Sequence, residues 1–292
     1  MDILIIQILN SIFYASILFL IAAGLSLIYG VMRIVNLAHG SFFAFGAYVT
    51  AWTIGTLAAG APVTLQFLLL PAGAIAVAAV GAAIEPTLLR PLYSRPEEAQ
   101  LLITFALLLI LEDVMHFLFG GIPLTAGAIM DATGIMRVMG LVYPVYNLLV
   151  IVIGVAAALF LWYFVYRTKF GIILRATSQN MRMASALGLN VKKVYVQAFA
   201  IGCFMAGLGG AIVVPAQAAQ LGMGIEALVL AFVVVVIGGL GSLEGALIGA
   251  LLVSFVRTAG IQFFPEVELA VLYLIAAVVL VIRPTGLFGK PA

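Results

Sequence analysis

The sequence predicts an all-α, polytopic integral membrane bundle that cannot fold as a soluble domain. Three observations support this. Of 292 residues, 65% are hydrophobic and 8% charged, whereas an ordinary soluble domain carries about 25% charged residues. Mean hydropathy is +1.30. Apolar runs near the spanning length of about 20 residues recur along the whole chain.

Taken in order, the long runs are Leu4–Tyr29, Leu37–Leu57, Leu65–Leu89, Ala99–Phe119, Tyr143–Tyr166 and Val194–Val214. After Gln220 the pattern changes. Ala227–Ile237 and Ala246–Val256 are short and flank GGLGSLEG (Gly238–Gly245); a last run covers Leu269–Ile282. The total is about eight or nine spans, open at the short pair. The first run lacks a basic leader and a small-residue cleavage site, so it reads as a retained span rather than a signal peptide. Residues 1–292 read as a single transmembrane domain.

Charge sets the expected orientation. Arg167–Lys193 carries Arg167, Lys169, Arg175, Arg182, Lys192 and Lys193 and no acid. Because cytoplasmic loops concentrate Lys and Arg, it belongs inside, together with Arg90–Glu98 and the tail Arg283–Lys290. Gly120–Val142 and Pro215–Gly224 then fall outside, as does the N-terminus, with the C-terminus cytoplasmic. A net charge of +2 leaves no nucleic-acid footprint. Cys203, the lone cysteine, sits in an apolar run and reads as a small core residue.

The basic segment is too polar to span. From Ile172 to Leu187 apolar residues recur near helical spacing (Ile173, Ala176, Met183, Ala184, Leu187), predicting one short amphipathic helix ended by Gly188. On charge alone, an interfacial helix resting on acidic lipid headgroups is favoured by roughly 2:1.

Four stretches shift that balance: NLAHGSFFAFGAYV (Asn36–Val49), RATSQNMRMASALGLNVKKVY (Arg175–Tyr195), AFVVVVIGGLGSLEGALIGALLV (Ala231–Val253) and RPTGLFG (Arg283–Gly289). In this order they resemble the permease subunits of ABC importers for branched-chain amino acids, and look most like the shorter of the two paired permeases. Permeases for urea, short amides and other amino acids share these motifs. The resemblance implies an importer-type membrane bundle in a bacterial or archaeal cytoplasmic membrane. It also implies separate ATP-binding subunits, a second permease subunit (a paralogue), and a periplasmic substrate-binding protein, with no cofactor of its own.

The resemblance also implies that residues 167–193 couple the bundle to the ATP-binding partner. Ala184, Ala186 and Gly188 resemble the small-residue core of such a coupling loop, Arg175 and Arg182 would meet acidic rims on the partner, and Asn180 would cap or hydrogen-bond there. Small residues permit close backbone approach, and Gly188 can adopt a left-handed C-cap.

Other motifs read as follows. Asn36, His39, Gly40 and Ser41 lie between two apolar runs, either in a cytoplasmic turn or in a helix break inside the membrane. A break is where transporters place substrate, and polar groups at membrane depth are costly unless they face a cavity. The pathway reading is slightly ahead. Glu112 and His116 form an i, i+4 pair beside Asp113. Two ligands without a third make a weak metal signal, and a satisfied polar cluster is favoured by roughly 3:1. Gly241, Gly245 and Gly249 predict one smooth helix-packing face. Glu244 suits the first turn after Ser242.

The sequence contains no G-x-x-x-x-G-K-[ST], H-E-x-x-H or C-x-x-C, and no coherent Ser/His/Asp set, so neither an enzyme nor a metal site is expected. An ion-coupled carrier using Glu85, Glu112 or Asp113 is the remaining alternative, although such a carrier needs no docking helix.

Overall fold

The computed structural model describes residues 2–138, 140–263 and 265–289. Lys290, part of the basic tail noted above, lies outside them. In chain order the elements are α1 (Asp2–Met32), α2 (His39–Leu57), α3 (Val63–Leu69), α4 (Pro71–Ile84), α5 (Glu97–Phe119), α6 (Gly127–Thr133), β1 (Ile135–Val138), β2 (Leu141–Pro144), α7 (Val145–Arg167), α8 (Lys169–Gln179), α9 (Met181–Ala186), α10 (Val191–Val213), α11 (Met223–Gly238), α12 (Leu243–Phe263) and α13 (Glu268–Ile282). Among the described residues, six segments are long and apolar enough to cross a membrane: Leu4–Met32, Val63–Leu92, Glu97–Phe119, Val145–Arg167, Val191–Val213 and Leu243–Phe263. α2 has 19 residues, and α11 and α13 are shorter apolar helices.

α1 and α10 form the buried axis, with α2, α4 and α12 packed around them. Their contacts are backbone-close. A β-carbon on Gly24 would strike the Gly202 carbonyl oxygen, and one on Gly46 would strike Gly207. In membranes, where lipid is as apolar as leucine, such small-residue contacts give helices their attraction through close dispersion contact. α5, α7 and α13 form the rim and turn Leu102, Phe117, Leu159 and Leu274 outward.

The structure departs from the sequence expectations in five places. The third apolar run is not one regular helix. Pro71 begins α4 after a break at Leu70, and beyond Ile84 the chain passes through a π turn (Glu85–Leu89) and a 3₁₀ turn (Arg90–Leu92). Pro86 and Pro91 each lack the N–H that a regular helix needs.

The run expected as the short Ala246–Val256 is the 21-residue α12. Its polar residues interrupt the apolar pattern, and two of them have partners: Gln262 accepts a bond from Gln7 at 2.6 Å, and Arg257 pairs with Glu226.

The loop 120–142 contains structure. α6 is followed by an antiparallel hairpin in which Ile135 faces Pro144 and Val138 faces Leu141, so the chain is not purely helical. Gly140, at φ 85°, supplies the positive dihedral of the turn.

The single helix expected over 172–187 is two helices, broken at Asn180 (φ −152°, ψ 94°). Finally, Gly241 lies outside α12 with φ 80°, so the three glycines do not share one helix face.

Candidate functional site

The first candidate is the break between α1 and α2. α1 ends where Arg33 takes a left-handed φ of 59°, a conformation costly for a residue with a β-carbon. Asn36 Oδ1 then accepts the Ala38 N–H at 3.1 Å, which turns the chain into α2. His39 Nε2 lies 3.0 Å from the Ile21 carbonyl; a carbonyl only accepts, so Nε2 carries the proton. Ser41 donates to the Leu108 carbonyl at 3.4 Å, and Thr104 to the Val35 carbonyl at 3.3 Å. A β-carbon on Gly40 would strike the Gly224 carbonyl oxygen, so only glycine allows α11 this close. Ile21 and Leu108 lie turns away from the ends of α1 and α5. The break is therefore inside the bundle rather than a turn at its end. Asn36, His39 and Ser41 are all buried.

A cavity of about 380 Å³ opens at the end of the bundle opposite α8 and α9. Ile21, Phe43 and Leu230 are among its apolar lining residues, and Gln217, Gln220, Glu226 and Arg257 among its polar ones. Because Ile21 both lines this cavity and holds His39, the break sits directly behind its wall. Arg257 is held from three sides. Its Nη2 donates to Glu226 at 2.9 Å, its Nε is 3.6 Å from Glu268 Oε1, and its guanidinium lies 4.6 Å from the centre of the Tyr14 ring. The sequence reading passed over these residues. The available signal was an arginine inside an otherwise apolar helix, where a charge is costly unless it has partners or faces water.

At the opposite end, α8 is fastened to the bundle by Ser178, which donates to the Gly30 carbonyl at 2.7 Å. Arg175 stacks on the bundle's own Tyr166. It is half-buried, with its guanidinium 5.1 Å from the Tyr166 ring centre. Asn180 caps α9, its Oδ1 accepting the Met183 N–H at 2.9 Å. Gly188 takes φ 81° and closes α9, with Leu189 N–H bonding the Ala184 carbonyl at 3.1 Å. Ala184 faces inward, whereas Arg182, Met183, Ala186, Leu187 and Gly188 are exposed.

A chain of contacts runs inward from α9. Tyr195 donates to Met181 Sδ at 3.1 Å and stands edge-on to Tyr93 at 5.3 Å. Tyr93 donates to the buried Glu85 at 2.6 Å, and Arg90 pairs with the same carboxylate at 2.7 Å. Burial, reinforced by that carboxylate, pushes the Tyr93 phenol well above its usual pKa. Glu85 is thus engaged in a closed ion pair.

The remaining motifs fall elsewhere. Glu112 Oε1 accepts the Gly222 N–H at 2.5 Å at the start of α11. Among the described residues, no three His, Cys, Asp or Glu side chains gather as metal ligands. Gly245 and Gly249 do pack α12 on α11, against the carbonyls of Gly238 and Val234, while Gly241 packs against Gly30. Ser242 Oγ accepts the Gly245 N–H at 3.0 Å, with Glu244 in the first turn of α12.

Residues 7–282 match a protein family described as the branched-chain amino acid transport system / permease component. The chain belongs to this permease family. It is a multi-pass membrane protein of the transport class. The permease is 26% identical over 294 residues to the high-affinity branched-chain amino acid transport system permease protein BraD of Pseudomonas aeruginosa, covering 98% of this chain and 95% of the relative. It is 30% identical over 250 residues to the probable branched-chain amino acid transport permease protein LivH of Methanocaldococcus jannaschii, covering 84% of this chain and 77% of that one. A more distant match is the ribose import permease protein RbsC of Escherichia coli, 25% identical over 262 residues, covering 84% and 76%. Among solved structures, PsaBC from Streptococcus pneumoniae in complex with Fab overlays with a TM-score of 0.49 at 13% identity, covering 94% of this chain and 89% of that chain.

Proposed function

We propose that this permease is the membrane subunit of an ATP-binding-cassette importer for branched-chain amino acids, with ATP hydrolysed on a separate subunit. The observation that carries the reading is α9: a capped, glycine-terminated helix that leaves Arg182, Met183 and Leu187 uncovered at one end of the bundle. Exposed methionine and leucine beside an arginine suit a protein groove with an acidic rim better than bulk water. The relatives named as branched-chain amino acid permeases support the substrate class.

In this reading residues 1–292 are one permease domain. The six long spans, α2, α11 and α13 each cross the membrane, which puts the N-terminus outside and the C-terminus, α8 and α9 in the cytoplasm. Two ATP-binding subunits engage α9 on this chain and its counterpart on a second, paralogous permease. A periplasmic binding protein delivers substrate at the opposite end. ATP favours one of two bundle arrangements by binding it more tightly. The Asn36–Ser41 break supplies the point where α1 and α2 can move relative to each other beside the path. This permease's own part is positional: it holds the path and transmits movement, and the bond chemistry belongs to the ATP-binding partner.

The test is reconstitution in proteoliposomes. The chain with its second permease, ATP-binding subunits and binding protein should accumulate leucine only when ATP is supplied. Uptake by this chain alone, driven by a proton or sodium gradient, overturns the proposal.

A further inference from the structure

We infer that the cavity at the Arg257 end is a binding site for a small zwitterion with an apolar tail, that is, for the free amino acid itself. This deepens the proposed importer function and rests on it for the identity of the substrate.

Charge arithmetic is the starting point. One guanidinium, Arg257, faces two carboxylates, Glu226 and Glu268. The two acids are not equivalent: the Glu268 side chain is 16% exposed and the Glu226 side chain 59%. Glu268 therefore balances Arg257 from the protein side. Glu226 is the surplus charge, and it lines the cavity with Arg257. A structural ion pair needs one carboxylate, and a second held at the edge of a cavity is available to an incoming cation. Cation–π contact with Tyr14 fixes the guanidinium in place whether or not Glu226 stays bonded to it.

The rest of the cavity defines the other half of the ligand. Ile21, Phe43 and Leu230 line the same cavity as the charged groups. A volume of about 380 Å³ is at the lower end of small-molecule pockets, which run about 300–1,000 Å³. A ligand that places a carboxylate on Arg257 Nη2, an ammonium on Glu226 and a branched hydrocarbon against Ile21 and Phe43 exchanges one ion pair for two. A ligand with only one charge makes half of this exchange: an ammonium alone leaves Arg257 Nη2 without the hydrogen bond it gave to Glu226, and a carboxylate alone leaves Glu226 unpaired. The site would receive substrate at the end away from α9, and only the wall carrying Ile21 and Phe43 separates it from the helix break.

The experiment uses the full-length chain in lipid nanodiscs and reads thermal unfolding at millimolar ligand, so it does not depend on any partner. Three probes are compared: leucine, leucinamide (no carboxylate) and 4-methylpentanoate (no ammonium). Leucine should raise the midpoint by a few degrees and the other two should not. Glu226→Gln, a change at a half-exposed side chain, should weaken the leucine response about tenfold in concentration while the unliganded midpoint stays in place. Arg257→Lys should weaken it as well, while retaining a positive charge for Glu268.

No shift with leucine, an equal shift with all three probes, or a leucine response unchanged in Glu226→Gln each overturns the site. The importer proposal fails by a different observation, absence of ATP-driven uptake by the complete wild-type complex, so the two failures can be told apart.

Discussion

His39 shows how one side chain fixes a break in a helix. Its protonated Nε2 is tied to the Ile21 carbonyl, and the ring packs where Gly24 leaves room beside α1. His39→Ala removes that bond and opens a void in a buried place, at a cost of about 1–3 kcal/mol. The thermal midpoint of the purified chain should fall, and leucine uptake by the assembled complex should slow. An unchanged midpoint and unchanged uptake would show that the break does not depend on the ring. Asn36 and His39 were legible in the sequence because they are polar groups between apolar runs. Arg257 was not, since Gly241–Gly249 drew attention to packing and its two acids come from α11 and the start of α13. Only folding brings Glu226 and Glu268 to it.

α9 is the element on which the proposed coupling depends. Asn180→Ala removes its N-cap, a loss of about 1 kcal/mol in so short a helix. In the assembled complex ATP hydrolysis should continue while leucine uptake per ATP falls, and joint measurement of the two rates checks this. Gly188→Trp places a bulky residue at φ 81°, where L residues are strained, on an exposed surface with nothing within 4 Å of the new β-carbon. The bundle should fold normally and uptake should be lost; retained uptake would mean that α9 does not dock there. The sequence conveyed the amphipathic character of this region but not its division. Asn180 can be an ordinary helical residue or a cap, and the choice is made by its own side chain competing for a backbone N–H. Arg175 was legible as charged, but its stacking on Tyr166 is a tertiary contact with no local signature.

At the scale of the whole molecule, topology gives the plainest prediction. Cys203 is fully buried in α10, so the native chain should be silent to a membrane-impermeant maleimide. Ala186→Cys should then label only from the cytoplasmic side and Thr125→Cys only from the outer side. Labelling of both from one side would refute the crossing by α7 on which this orientation depends. Most of the bundle was legible as apolar length, because lipid demands internally satisfied backbone over a fixed thickness. The irregular parts were not. The π turn at Glu85–Leu89 depends on Pro86 and on where the Glu85 carboxylate finds Arg90 and Tyr93, and the β1–β2 hairpin depends on the turn at Gly140.

The glycine contacts along α10 carry a mechanical consequence. Where Gly202 meets Gly24 and Gly207 meets Gly46, backbone slides on backbone with few side-chain knobs to climb over. Interlocked knobs impose steps on any displacement, and a smooth seam lets packed helices shear by small amounts without changing neighbours. Gly46→Ala would roughen that seam against the Gly207 backbone, costing about 1–3 kcal/mol by overpacking. Turnover should then fall more than apparent substrate affinity. The axis of this permease is in effect a bearing, and its glycines are the lubricated surface.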